Sequence, residues 1–148
     1  MKIKLIISAL RYEQVKNELT SKGIEIDENA DLLITEKDCF AEYLIGKHDG
    51  GFHRISVNDI LCIESFAHDI IIHSAQGDFK LNERLHQLES MLNPKQFLRI
   101  SNSVIVSLNK IHKIKPTLSA KYILTLSDGR IVDVTRSYYY IFREIIGI

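Results

Sequence analysis

Apolar and polar positions alternate along most of this chain with the period of a β-strand, and only a few stretches carry the longer period of a helix. At the N-terminus Ile3, Leu5 and Ile7 alternate with Lys2, Lys4 and Ile6, which predicts a strand with one wet face. Ser8 then stands where a helix cap belongs. Tyr12, Val15 and Leu19 recur at helical spacing until Gly23, a residue suited to the position just past a helix end. Residues 24–26 and 32–35 read as two further short strands. Residues 1–47 are thus expected to hold a small strand-helix-strand unit, with residues 36–46 of undetermined form.

His48-Asp49-Gly50-Gly51 reads as a linker, because paired glycines punctuate the chain there and the charge balance changes. Beyond it lie short β-type runs at residues 52–56, 59–65, 69–74, 79–82, 97–100, 104–107, 111–115, 122–126 and 131–135. Turn signals separate them, chiefly Ala75-Gln76-Gly77-Asp78 and Ser127-Asp128-Gly129-Arg130, the second containing a dipeptide favoured in type I′ hairpins. One middle segment is helical in pattern: Leu81, Leu85, Leu88 and Leu92 share a face, Asn82 can cap, and Asn93-Pro94 ends it. Ile141, Phe142, Ile145 and Ile146 form a second helical stripe in the tail. The fold class expected is mainly β with few helices, α+β overall, with one central helix.

Composition narrows the class without naming a function. Of 148 residues, 45% are hydrophobic and 26% charged, inside the globular range and against disorder. No apolar run approaches the roughly 18 residues that span a bilayer, and the first residues are too charged for a secretory signal, so a cytoplasmic location is expected. Cys39 and Cys62 are too few and too far apart for a disulfide framework or a zinc motif, and Cys62 reads as a small core residue. The formal net charge is zero, but it is unevenly spread. Residues 1–50 hold seven Lys and Arg against ten Asp and Glu, whereas residues 51–148 hold twelve against nine and five of the six His. Any polyanion partner belongs to the later segment.

Polar groups break the apolar pattern at three places. Arg99, Ser101, Asn102 and Ser103 interrupt Phe97-Leu98-Arg99-Ile100-Ser101-Asn102-Ser103-Val104-Ile105-Val106; His68 interrupts the run around residues 63–72; Arg136 interrupts residues 131–138. Three interruptions on one β scaffold suggest a reading surface. The order IESxxH, FLRISNSVIV followed by SLNKI, a DG hairpin and VxVTRxY resembles the LytTR family of bacterial DNA-binding domains over residues 50–148, and that resemblance implies a layered β-sheet fold.

The resemblance implies a role for each interruption. His68 would enter a major groove, where an imidazole can donate to or accept from a base edge. Asn102 would read a base in another, since its amide offers a donor beside an acceptor, the pair that suits adenine; a turn-forming Asn is the plainer alternative. Arg136 would reach a minor groove, where negative potential favours a guanidinium, against the plainer reading of an ion pair with Asp133. Ser101, Ser103, Arg99, Lys110, Lys113, Lys115 and Lys121 are the expected phosphate contacts. Ser107 departs from the family pattern, which usually ends this motif in Asn. The family's preference for direct repeats in promoter DNA implies a homodimer on DNA, with bending of the duplex, no cofactor and no catalysis. Because the N-terminal unit is too short for a receiver domain, control by a protein partner, by analogy a membrane protein, or by concentration is expected.

Two other classes compete. A metal-dependent enzyme would draw ligands from Glu64, His68 and His73, although a continuous strand puts residue 73 on the face opposite residues 64 and 68. An antiactivator that keeps the fold without DNA affinity would suit the zero net charge, but it would have no use for His68, Asn102 and Arg136 at groove-reading points.

Overall fold

Ile3 and Leu5, the apolar members of the first alternation, are buried in β1 (Lys2–Ile6). β1 is the middle strand of a parallel sheet in the order β2-β1-β3, with β2 at Glu25–Ile26 and β3 at Leu32–Thr35. These elements belong to a computed structural model that describes residues 1–36 and 40–148, so Cys39 lies outside the described residues. The chain divides into two units, Met1–Phe40 and Ala41–Ile148.

In the first unit α1 (Ala9–Ser21) connects β1 to β2. Gly23 takes φ +81°, its amide bonds to the Thr20 carbonyl at 3.0 Å, and the Ile24 amide bonds to that of Leu19 at 3.1 Å. This double bond past a left-handed glycine is the stop expected at Gly23. At the other end the Ser8 hydroxyl caps nothing. Instead the Glu36 carboxylate accepts from the Ser8 amide and pairs with Arg11 at 3.2 Å, and these contacts, the Ser8 amide foremost, hold its carboxyl below the usual range.

The second unit holds two antiparallel sheets. The larger has seven strands in the order β5-β4-β8-β7-β6-β10-β9: β4 (Tyr43–His48), β5 (Gly51–Ser56), β6 (Ile60–Phe66), β7 (Asp69–Ser74), β8 (Gly77–Leu81), β9 (Phe97–Arg99) and β10 (Val104–Ser107). The smaller is β11 (Ile111–Pro116), β12 (Tyr122–Leu126) and β13 (Ile131–Val134) in sequence order. The period of two assigns each residue to a core. On β10, Ile105 joins Ile63, Ile72, Phe79 and the leucines of α2 (Leu85–Met91) in one cluster. Its neighbours Val104 and Val106 join Leu124, Val132, Val134 and Phe142 in the other, closed by α3 (Tyr139–Ile146). The large sheet is therefore apolar on both faces along its central strands, with a helix over one face and the small sheet over the other.

Three expectations are corrected. His48-Asp49-Gly50-Gly51 is the tip of the β4–β5 hairpin, with Asp49 and Gly50 both at positive φ as a type I′ turn requires. The helix begins later than the leucine stripe: Leu81 is a strand residue, and the Gln87 side chain, not Asn82, caps the start by accepting from the Arg84 amide at 2.8 Å. The Asp128-Gly129 turn is not type I′. Only Gly129 has positive φ, at +88°, and the Gly129 amide bonds to the Leu126 carbonyl while the Leu126 amide bonds to that of Arg130. That is a type I turn closed by a left-handed glycine, which leaves Asp128 free to accept from the Arg130 amide at 3.0 Å.

Candidate nucleic-acid interface

Antiparallel pairing carries three connections to the same end of the second unit. β6 and β7 close on the pair Phe66 and Asp69, leaving Ala67 at φ +50° and His68 at φ +71° as the two residues of the turn. Such a turn asks for Asn or Gly at these places, and this chain supplies neither. A histidine held in a sparsely populated conformation at a hairpin tip is exposed there.

Next to that hairpin runs the connection between β9 and β10. The Ser65 amide of β6 donates to the Ser103 carbonyl at 2.7 Å, and the Ile100 amide donates to the Val104 carbonyl at 3.0 Å. Ser101 is buried, and its hydroxyl accepts from the Ser103 amide at 3.2 Å and lies 3.3 Å from the Ser103 hydroxyl. Asn102 is exposed at the apex. The small sheet joins from the other side, where the Thr135 amide donates to the Ile100 carbonyl at 3.0 Å. Arg136 follows at once, exposed at the start of the 3-10 turn Arg136–Tyr138, and the Tyr138 hydroxyl reaches the Asn102 amide oxygen at 3.4 Å. His68 and Asn102 line one concavity of about 460 Å³, together with Asn82, Arg84, His86 and Arg99.

The expected phosphate contacts divide. Ser103 is exposed beside Asn102, but the Ser101 hydroxyl is committed to holding the loop. Arg99 is likewise engaged, with donors to two carbonyls of the loop and to the Glu89 carboxylate. Pairing of Pro116 with Tyr122, and of Tyr122 with Val134, brings Lys115 and Lys121 to the end of the small sheet from which Arg136 emerges. Lys113 pairs with Thr125 further along the same sheet. Lys110 is half-buried at the opposite end of β10, where its carbonyl accepts from the Ser127 amide. Among the described residues Arg136 makes no ion pair with Asp133.

Glu64 and His73 meet, but not as a metal site. The His73 ring nitrogens lie 3.1 Å from Glu64 Oε1 and 2.9 Å from Asp78 Oδ1, while His68 sits apart at the hairpin tip. Among the described residues no group of three or more His, Cys, Asp or Glu is arranged to hold a metal. No described helix is long and apolar enough to cross a membrane. Sequence reasoning passed over Arg84 and His86. The signal was a pair of basic residues flanking the first leucine of α2, which the leucine stripe overshadowed.

The transcriptional regulatory protein LytR of Staphylococcus aureus strain N315 is 26% identical over 139 residues, covering 93% of this chain and 56% of LytR. The chain thus spans about half the length of these curated relatives. An uncharacterized HTH-type transcriptional regulator of Staphylococcus aureus strain COL is 25% identical over 150 residues, covering 100% of this chain and 99% of its own. In fold, the chain is similar to the LytTr DNA-binding domain of a Bacillus cereus methyl-accepting/DNA response regulator, with TM-score 0.71, 22% identity and coverage of 73% of this chain and 99% of that one. The family model of the LytTr DNA-binding domain matches residues 50–147, well over half of the chain, and the protein therefore belongs to the LytTR family.

Proposed function

We propose that this protein is a transcriptional regulator that binds promoter DNA in a sequence-specific manner. His68 and Asn102 read base edges in major grooves, and Arg136 lies in a minor groove. Ser103, Lys115 and Lys121 contact phosphates near these readers, with Lys113 further out; Lys110 is the least suited of the expected contacts. The observation that carries this reading is the bonded chain from Ser65 through Ser103 and Ile100 to Thr135, which supports one rim for three loops.

The chain acts by binding and not by catalysis. Two protomers occupy direct repeats as a homodimer on DNA, and regulation comes from a protein partner, by analogy one in the membrane. The setting is the cytoplasm, where promoter DNA is found.

The test is titration of the purified protein against DNA from upstream of its own coding region and against unrelated DNA of equal length, at two salt concentrations. Preference for the upstream fragment that persists at the higher salt is the expected result. Equal affinity for both fragments would refute sequence-specific reading.

A further inference from the structure

The guanidinium of Arg99 gathers the loop that carries Asn102. Its Nε–H donates to the Ser101 carbonyl at 3.1 Å, one Nη2–H to the Asn102 carbonyl at 2.6 Å, and one Nη1–H to the Glu89 carboxylate at 3.0 Å. The side chain is only 20% exposed. A planar fork that engages two successive carbonyls fixes the peptide planes on both sides of Asn102, and so the direction in which its side chain leaves the backbone. The third bond anchors the fork to α2, an element packed into the core through Leu85 and Leu88.

We infer that Arg99, held by Glu89, is a positioning residue that presets the Asn102 loop for base reading and does so without touching DNA. This rests on the proposed role of Asn102 in reading a base. It reverses the plain expectation that an Arg in a DNA-binding loop binds phosphate. A lysine cannot take its place, because one ammonium on a flexible stem lacks the fixed fork that spans both carbonyls and the carboxylate.

The test uses the full chain as Arg99→Gln, Arg99→Lys, Glu89→Gln, Asn102→Ala and the double variant Arg99→Lys with Asn102→Ala. Amide hydrogen exchange of the free protein is read at Ser65 and Ser103, whose bonds close the loop, with Ile63 and Val106 as core controls. Both Arg99 variants are expected to speed exchange at Ser65 and Ser103 and leave the controls unchanged. On the upstream DNA fragment both should lose about tenfold in affinity, and Glu89→Gln less, with unrelated DNA and the salt dependence unaffected. Adding Arg99→Lys to Asn102→Ala should cost nothing further.

Unchanged exchange at Ser65 and Ser103 would overturn the inference whatever the DNA does. Rescue by lysine, with a shallower salt dependence for Arg99→Gln on every fragment, would overturn it in favour of a phosphate contact. If exchange quickened but Asn102→Ala bound as the parent does, the failure would lie in the role of Asn102, and the purpose assigned to Arg99 would fall with it.

Discussion

The amide of Thr135 donates to the carbonyl of Ile100 at 3.0 Å, so the exit of β13 is tied to the loop that leaves β9. Arg136 lies one residue beyond one end of this bond and Asn102 two residues beyond the other. Their separation is therefore a property of the folded sheets and not of two independent loops. Truncating Arg136 to Ala removes a group that makes no ion pair among the described residues, so folding stability should not change. Specific affinity should fall by about 1 to 3 kcal/mol, whereas Lys121→Ala should weaken binding to all sequences alike and flatten the salt dependence. Fluorescence titration of both variants checks this, and parental affinity for Arg136→Ala would remove the minor-groove assignment.

Ala67 precedes His68 at φ +50° in a turn whose two residues are both left-handed. For an L residue that conformation costs roughly 1 to 2 kcal/mol, against somewhat under 1 kcal/mol of extra chain entropy lost by glycine on folding. Ala67→Gly should then raise stability by up to about 1 kcal/mol, seen as a higher urea midpoint with an unchanged slope. A lower midpoint would mean that the alanine methyl group makes a contact worth more than the strain.

Much of this architecture was legible because a period of two was legible. The expected runs at residues 69–74, 104–107 and 122–126 coincide with β7, β10 and β12. β4 escaped notice for a physical reason: its inward positions are Leu44 and Gly46, and a buried glycine gives no apolar mark. The linker misreading has the same root, since glycine beside Asp49 signals a turn but cannot say whether it lies within a domain or between two. At the interface the residue types were readable and their partners were not. Arg99 and Arg136 look alike in sequence, yet one is bonded to its own loop and the other is exposed.

Gly46 is buried in β4 with no room beside it for a side chain. A Cβ built there would stand 2.5 Å from the Phe79 Cβ and 2.8 Å from the Ile55 Cδ1. The first neighbour is held by its own backbone in β8 and cannot swing aside. Gly46→Ala should therefore cost about 1 to 3 kcal/mol through overpacking, despite adding a single methyl group. Gly50→Ala is the control, for there the added carbon meets nothing within 4 Å and only the φ of +74° opposes it. Chemical denaturation of both separates crowding from backbone strain, and a Gly46→Ala midpoint equal to that of the parent would show that β4 can shift outward at little cost.

Cys62 lies 1% exposed in the core shared with the small sheet. Burial, aided by the nearby carboxylates of Glu64, Asp128 and Asp78 against the opposing charge of Arg130, pushes its thiol from 9.0 up to about 12. The unfolded chain loses this proton near pH 9, whereas the folded chain keeps it until about pH 12. The stabilisation is thus complete below pH 9 and is lost as pH rises, at about 1.4 kcal/mol per pH unit, until the folded thiol also ionises. Unfolding free energy measured from pH 8 to 11 should fall with that added slope in the parent and without it in Cys62→Ala, which lacks the titrating group at the cost of a lower stability at every pH. The same burial predicts that an alkylating reagent at pH 8 leaves Cys62 unmodified in the native protein and labels it after denaturation, as peptide mapping can show separately from Cys39. Parallel pH profiles for parent and variant, or rapid native labelling of Cys62, would show that water reaches the thiol and that this part of the core opens readily.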